Sequence, residues 1–288
     1  MNIFSVPEAK HYCGHFTKTS LYSSASFKSH LCGLGSDTSF VEGTVEFNEF
    51  RDGLLRESER LLFLSAVHYK KSYDLLAGSS CAWAHTTMYY GSYYAALSLL
   101  AMFGAWVHFG HPGSVVAYVE NGTPGFQKIT FKQTKPYVNG LSTYQGPHRK
   151  FWDVFYSLMT NLIPSLPLHK RWNVAISPVL GTNRTWLIDK RNDLNYDSFQ
   201  SINMMVGFQK NFRSRNFLAT LPGDLKIQYD VMLNMIELSF FYAKHFGLRT
   251  DSLTNLKPSG SRKRKIMQTI IYGKSHRLVG KSKMASVF

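Results

Sequence analysis

The stretch Lys190–Asp197, KRNDLNYD, combines the residue types with the clearest potential for chemistry in this chain. Arg191 and Asn192 are neighbours, and Tyr196 follows Arg191 by five positions. A tyrosine hydroxyl has a pKa near 10, so at neutral pH Tyr196 is a poor general base. On a helix, positions i and i+5 diverge by about 140°. The side chains of Arg191 and Tyr196 can therefore line the same pocket only at a helix end or across a two-fold interface.

Each of these three side chains also has a structural interpretation. Arg191 can form a salt bridge with Asp189 or Asp193, and Asn192 can cap or crosslink helices. Tyr196 can be a core aromatic residue whose hydroxyl finds a hydrogen-bond partner. Both interpretations, structural and chemical, stay open on the sequence alone.

Four histidines are candidate proton carriers for this stretch: His85, His108, His111 and His148. The sequence does not place any of them near Arg191. The simplest interpretation of His85 is a hydrogen-bonded residue at the start of a helix. No P-loop, G-x-G-x-x-G, H-E-x-x-H, G-x-S-x-G or paired C-x-x-C motif is present, which disfavours NTPases, dehydrogenases, zinc proteases and hydrolases.

A second group of residues mixes positive charge with aromatic rings in the stretch GFQKNFRSRNF. Its basic members are Lys210, Arg213 and Arg215, and its phenylalanines are Phe208, Phe212 and Phe217. Aromatic residues among bases suit single-stranded nucleic acid, because bases stack on the rings while phosphates meet the charges. The same pattern is also typical of a loop that is anchored in a core.

The chain is strongly basic, with a net charge of +15 and a pI near 9.7. Nine of its basic residues and no acidic residue lie after Leu256, including Arg262, Lys263, Arg264 and Lys265. The remaining 24 basic and 18 acidic residues give a net charge of +6. We interpret this end as a basic tail that contacts nucleic acid, with an anionic membrane surface or simple solvation as the alternatives.

Thiols and imidazoles, which are ligands for zinc, cluster loosely near the N-terminus: His11, Cys13, His15, His30 and Cys32. Their C-x-H and H-x-C spacing does not match the usual gap of two to four residues, so we predict no metal and no other cofactor. With Cys81 the chain has three cysteines at wide spacing, which suits a reducing compartment. The first residues lack the basic-then-apolar order of a signal peptide, and we expect a cytoplasmic protein.

The element expected to organise the chain is Trp83–Gly104, which contains no Asp, Glu, Lys or Arg. One helical face carries aromatic and aliphatic side chains, namely Tyr90, Tyr93, Tyr94, Leu97 and Leu100. A second stripe of small residues lets neighbouring backbones approach closely, and it consists of Gly91, Ala95 and Ser98. We predict a central helix of a helical domain rather than a membrane span, since the run is diluted by polar residues and no Lys or Arg flanks it.

The other elements are predicted from the spacing of apolar residues and from the residues that typically begin or end a helix. A helix over 45–77 ends at Gly78 and forms an antiparallel hairpin with the central helix. Further helices are predicted at 148–163, around 182–200 with Thr182 or Asn183 as cap, and at 224–246 with Gly247 as C-cap. Between the helices we expect a loop at HFGHPGS and either a small β-hairpin that includes 115–119 or an irregular insert.

These predictions combine into a mostly α-helical bundle with a small β-hairpin insert and a basic C-terminal tail. The predicted domains are an irregular N-terminal arm at 1–44, a helical domain at 45–247 with a β-rich insert at about 105–147, and a tail at 248–288.

The helix sequence YYGSYYAALSLL, followed much later by RNDLNY, resembles the HEPN superfamily of prokaryotic helical domains. Those domains often carry a YYAxxxAAxxLL-like helix, and their signature is an Arg, commonly followed by Asn, with a His four to six residues on. The order of hairpin, insert and helix, with its HG-type loop near 108–113, also resembles bacterial YaaC-like proteins to a lesser degree. The match spans about residues 45–247.

The resemblance implies a dimer that cuts RNA without a metal. In active HEPN proteins the Arg holds the scissile phosphate, and the His assists attack by the 2′-hydroxyl, which yields a cyclic phosphate. Arg191 matches the Arg and Asn192 the Asn, whereas Tyr196 stands at the position of the His. Relatives with such a departure are regarded as binding modules, so cleavage and binding without cleavage both stay open.

The sequence therefore predicts an HEPN-like RNA-binding or RNA-cleaving component of a bacterial toxin or antiphage defence system. Its predicted partners are RNA or another nucleic acid, together with a second copy of the chain or a partner protein. The alternative is a catalytically inactive helical module that binds nucleic acid or a partner protein.

Overall fold

A computed structural model describes the following parts of the chain: residues 3–16, 24–34, 39–78, 80–110, 113–119, 125–131, 137–138, 141–142, 147–162, 186–196, 221 and 223–248. Helices make up most of them: α1 Val6–Gly14, α2 Ser24–Gly33, α3 Val45–Ala77, α4 Cys81–Met102, α5 Pro147–Leu162, α6 Trp186–Tyr196 and α7 Gly223–His245. The strands are β1 Ser39–Val41, β2 Trp106–Gly110, β3 Gly113–Val119, β4 Gly125–Phe131, β5 Tyr137–Val138 and β6 Leu141–Ser142. The predicted fold class, mostly helical with a small β insert, is confirmed.

The chain divides into two compact units, and each unit takes one part of α3 and one part of α4. The first unit contains residues 1–58, 97–167 and 246–248. The second unit contains residues 59–96, 168–245 and 249–288.

In the first unit, the N-terminal segment that we expected to be irregular contains two helices and a strand, so that prediction was wrong. The start of α1 carries a capping box, in which the carboxylate of Glu8 accepts hydrogen bonds from the backbone N–H and the hydroxyl of Ser5, both at 2.7 Å. Pro7 lies in the first turn, where its missing N–H costs nothing. Both helices are too short for an apolar period to emerge from the sequence.

Tertiary contacts hold this N-terminal segment in place. The Cys13 thiol donates a hydrogen bond to the backbone carbonyl of Met102 at 3.4 Å. The ring of Phe27 on α2 packs against Phe50 on α3, with 5.5 Å between ring centroids. Gly53 makes this approach possible, because a Cβ atom at that position would lie 2.7 Å from the Phe27 ring.

The β insert is larger than the predicted hairpin. Strands β1, β4, β3 and β2 form an antiparallel sheet in that order, with Ser39 opposite Gln127 and His108 opposite Val115. Residues 106–110, part of which we expected to be a loop, form β2. Pairing with β3 determines this strand, and its short Gly- and His-containing sequence lacks the alternation that would reveal it. Strands β5 and β6 form a separate antiparallel pair.

Helix α5 confirms the prediction for 148–163 and supplies an aromatic cluster to the first unit. Phe151, Trp152, Phe155 and Tyr156 are all fully buried. Trp152 and Tyr156 are stacked at 5.5 Å between ring centroids, and Phe151 and Phe155 are stacked at 5.9 Å.

In the second unit, the central helix α4 packs against both α3 and α7. His68 of α3 contacts Tyr94 and Tyr90 of α4. A short connection that begins at Gly78 joins the two helices, which form the predicted antiparallel hairpin. Gly91 lets α7 approach, since a Cβ atom there would lie 2.8 Å from the sulfur of Met232. The hydroxyl of Ser239 on α7 donates to the carbonyl of Ala95 at 3.0 Å.

The predicted bounds of α3 are confirmed, and those predicted for α4 and α7 are shifted by two residues and one residue. Helix α3 spans Val45–Ala77 and is followed by Gly78. After α7, Gly247 adopts a φ of 73°, the left-handed conformation that favours glycine at a helix C-terminus. The described helices include none whose length and apolar character would carry it through a lipid bilayer.

Candidate functional site

Helix α6 positions the stretch in which the sequence predicted chemistry. It begins at Trp186 and ends at Tyr196, within the predicted helical range. Leu187 and Ile188 are buried and anchor the helix in the second unit. One turn further on, Arg191 and Asn192 are half-buried, so both can be reached from solvent. Thr182 and Asn183, the predicted caps, lie outside the described residues.

Arg191 is held by one amide and one aromatic ring. Its Nη2 and Nε groups donate to the side-chain oxygen of Asn192 at 2.7 Å and 3.2 Å. Its guanidinium carbon lies 4.9 Å from the centroid of the Tyr89 ring on α4. The Tyr89 side chain is fully buried, so the ring offers the cation a desolvated face.

Among the described side chains, no carboxylate neutralises the charge of Arg191. The salt bridge with Asp189 that we considered is not observed, whereas the side chain of Asp193, the other candidate, lies outside the described residues. Two of the five guanidinium N–H groups donate to Asn192, and the other three have no acceptor among the described residues. This combination of fixed position, positive charge and remaining donors suits a phosphate or carboxylate.

The preceding residue, Lys190, has the structural role instead. Its ammonium lies 2.7 Å from a carboxylate oxygen of Asp224 at the start of α7. The pair is partly exposed, and its contribution to stability is about 1 kcal/mol or less. The pair joins α6 to the start of α7, and the Asp224 carboxylate pairs with Lys190 rather than with Arg191.

His85 lies one helical turn before Tyr89 on α4, and the structure contradicts our interpretation of it as a hydrogen-bonded residue. The imidazole is fully buried, and neither ring nitrogen has a hydrogen-bond partner among the residues that the structure describes. Gln228 on α7 donates to the backbone carbonyl of His85 at 3.1 Å. Burial lowers the pKa of His85 to about 4, while the neighbouring side chain of Gln228 and the charge of Asp224 act in the opposite direction, so the imidazole is neutral at pH 7.

Tyr196 is the last residue of α6, and its side chain lies outside the described part of the chain. Because α6 is a regular helix from Trp186 to Tyr196, positions 191 and 196 diverge by about 140° around its axis. The catalytic role of Tyr196 stays a prediction. The same holds for the basic residues predicted to bind nucleic acid, which all lie outside the described ranges: Lys210, Arg213, Arg215, Arg262, Lys263, Arg264 and Lys265.

The N-terminal histidines and cysteines do not converge on a metal site within the described chain. His11 and His15 lie on one side of α1 with 4.5 Å between ring centroids, and His11 approaches Glu42 at 3.4 Å. Cys13 is buried, and burial raises the pKa of its thiol well above the ordinary value. No group of three or more His, Cys, Asp or Glu side chains with suitable geometry is found among the described residues.

Sequence reasoning found Arg191 and Asn192 but missed the residues that support them. Tyr89 was quoted only as part of the helix pattern, and the Lys190–Asp224 pair joins residues that are far apart in the chain. Comparisons with models of known protein families, with curated proteins and with solved structures find no match to this chain.

Proposed function

We propose that this protein binds RNA, with Arg191 holding a phosphate of the strand, and that it is an HEPN-like component of a bacterial toxin or antiphage defence system. The observation that carries the proposal is the state of the Arg191 guanidinium: positioned by Asn192 and Tyr89, half-exposed, and without an ion pair among the described residues. A cation that is fixed but not neutralised is prepared for an anionic ligand.

The charge of the whole chain supports a polyanion as that ligand. A net charge of +15 attracts nucleic acid over long distances and opposes association with other basic surfaces. The basic tail and the basic aromatic stretch around Arg213 would add phosphate contacts and stacking. RNA, rather than another polyanion, follows from the resemblance of YYGSYYAALSLL and RNDLNY to HEPN domains, whose substrates are RNA.

Binding is favoured over cleavage because no strong proton acceptor adjoins the guanidinium within the described residues. A tyrosine hydroxyl ordinarily has a pKa near 10, so a residue of this type at position 196 is a poor general base at neutral pH. His85 is neutral at pH 7, but its imidazole is closed off from solvent.

Metal-independent RNA cleavage is the second candidate function, and the observation that favours it is the position of His85. The His85 imidazole lies one helical turn from Tyr89, the residue whose ring contacts Arg191. The negative charge of a phosphate bound at Arg191 would raise the low pKa of His85 toward neutrality. Movement of α4 that exposes His85 would then supply a proton acceptor for the 2′-hydroxyl.

The experiment that tests the proposal is titration of a fluorescein-labelled single-stranded RNA with the wild-type protein and with Arg191→Ala, both in EDTA. We expect the variant to bind at least about tenfold more weakly, since a charge-assisted contact contributes about 1.5–3 kcal/mol. Equal affinities would overturn the phosphate role of Arg191.

The same samples separate binding from cleavage. Electrophoresis of the RNA after incubation distinguishes an intact strand, which supports a binding module, from fragments with cyclic phosphate ends. Fragments that disappear in both Arg191→Ala and His85→Leu would establish the nuclease. If neither protein binds RNA but light scattering shows a stable dimer, the alternative of a protein-interaction module replaces the proposal.

A further inference from the structure

A continuous row of tyrosine rings leads away from Arg191 along α4. The ring of Tyr89, which lies against the Arg191 guanidinium, contacts the ring of Tyr90 edge-on at 5.3 Å between centroids. It is stacked on the ring of Tyr93 at 6.2 Å between centroids. One turn further, Tyr90 stacks on Tyr94 at 6.0 Å with an interplanar angle of 29°. The row therefore joins the proposed phosphate contact to the next turn of the helix without a gap.

The row changes from buried to solvent-accessible along its length. Tyr89 is fully buried, whereas Tyr90 and Tyr94 are half-buried. His68 on α3 packs edge-on against Tyr94 at 5.1 Å and fixes the position of that ring. Next to His68 on the same side of α3, Leu64 and Val67 are also half-buried, so this face of the hairpin presents rings and apolar side chains to solvent.

We propose that Tyr90 and Tyr94 form a stacking surface for the bases of single-stranded RNA, adjacent to the phosphate that Arg191 holds. The inference rests on the proposed function, and it adds the strandedness of the ligand and the residues that meet its bases. Every base has a π-face, so stacking on tyrosine tolerates any sequence, and base-paired RNA does not offer those faces.

The electrostatics of the row fit this occupant. Burial raises the pKa of Tyr94, and the nearby positive charge of Arg60 opposes the shift only in part, so the phenol stays neutral and does not repel phosphates. Arg60 at the same time adds positive charge beside the ring. A second copy of the chain is the competing occupant, but it would bring another molecule of net charge +15 to the same face.

The test separates stacking from charge by the dependence of RNA affinity on salt. A fluorescein-labelled 12-nucleotide oligouridylate RNA is titrated at several salt concentrations with the wild type, Tyr90→Leu, Tyr94→Leu and the corresponding Phe variants. Because stacking releases no counterions, we expect each Leu variant to bind about tenfold more weakly at every salt concentration, with an unchanged slope of log K against log salt. The Phe variants keep the ring and are expected to bind within about twofold of the wild type.

Tyr73→Leu is the matched control, because Tyr73 is a half-buried tyrosine of α3 that lies outside the row. We expect it to leave RNA affinity unchanged. A Tyr94→Leu protein that binds like the wild type, or a Tyr73→Leu protein that loses as much affinity as Tyr94→Leu, would overturn the stacking surface.

Two further measurements distinguish loss of the stacking surface from misfolding and from dimer formation. Cross-linking of wild-type protein to the same RNA with 4-thiouridine at every position is expected to label Tyr90 or Tyr94, and labelling confined to other regions would contradict the proposal even if a variant fails to fold. Light scattering identifies the competing occupant, since a wild-type dimer that becomes monomeric in Tyr94→Leu makes this face a dimer interface and overturns the inference. If Arg191→Ala keeps its affinity while Tyr94→Leu loses it, the phosphate role fails and the stacking surface stands.

Discussion

The guanidinium of Arg191 lies 4.9 Å from the centre of the Tyr89 ring, and the two side chains differ in their access to solvent: the ring is fully buried, while the cation is half-buried. A cation over a desolvated ring face is stabilised by about 1–2 kcal/mol. The ring thus fixes the position of the guanidinium without cancelling its charge, which a carboxylate in the same place would do.

Removal of the ring face should therefore weaken RNA binding through Arg191. We expect Tyr89→Leu to raise the dissociation constant about three- to tenfold, and Tyr89→Phe to leave it nearly unchanged because the ring remains. The measurement is fluorescence anisotropy with labelled single-stranded RNA. In an Arg191→Ala background the Tyr89→Leu change should have no further effect on affinity. An additional loss there would show that Tyr89 acts through general packing instead.

The buried imidazole of His85 should make stability depend on pH. Its pKa of about 4 in the folded state lies below the unfolded value near 6.5, so the unfolded state binds more protons between these values. The free energy of unfolding should fall as the pH drops, by roughly 2 kcal/mol from this one group between pH 7 and pH 5.

Urea denaturation of the wild type and of His85→Leu at pH 7 and pH 5 measures this contribution. At pH 7 we expect the two proteins to differ little in stability, because neither ring nitrogen has a partner among the described residues. At pH 5 the variant should be more stable than the wild type by about 2 kcal/mol, since only the wild type takes up the proton on unfolding. An equal loss of stability in both proteins would place the titration on other groups.

The contact between α2 and α3 depends on Gly53. A Cβ atom there would lie 2.7 Å from the rigid ring of Phe27, so we expect Gly53→Ala to lower the free energy of unfolding by about 1–3 kcal/mol despite the higher helix propensity of alanine. Gly14→Ala is the matched control, because nothing lies within 4 Å of the atom that it adds. If Gly53→Ala is as stable as the wild type in thermal melts, α2 does not pack on α3 in this way.

The basic tail should contribute RNA affinity through charge alone. We expect simultaneous replacement of Arg262, Lys263, Arg264 and Lys265 by Gln to weaken RNA binding severalfold at low salt and to have little effect at high salt. Replacement of four surface threonines or serines by Gln elsewhere is a suitable control for composition. Unchanged binding at low salt would mean that the tail does not contact RNA.

The sequence was informative where a single element carries its own signal. The uncharged run of α4 and the amphipathic period of α3 predicted both helices to within about two residues, and the glycine after α7 adopts the expected left-handed conformation. Helices α1 and α2 and strand β2 were missed because each is short. Contacts with distant residues hold α1 and α2 in place, whereas β2 is stabilised by pairing with the neighbouring strand β3.

The candidate site shows the same division. Arg191 and Asn192 are adjacent in sequence, so the hydrogen bond between their side chains is local and an interaction between them could be predicted. The ring that contacts Arg191 is that of Tyr89 on α4, and the buried imidazole of His85 lies one turn before Tyr89. Both residues come about a hundred positions before Arg191 in the chain. No local pattern encodes which face of α6 turns toward α4, and the ion pair between Lys190 of α6 and Asp224 of α7 likewise joins residues that are far apart in the sequence.

The central claim, that Arg191 holds an RNA phosphate, is tested most directly by the salt dependence of binding. Loss of one phosphate contact to a single strand should reduce the slope of log K against log salt by about 0.7, in addition to lowering the affinity. We predict this smaller slope for Arg191→Ala, and the wild-type slope for the aromatic variant Tyr94→Leu. An Arg191→Ala protein whose affinity and slope both equal those of the wild type would contradict the account.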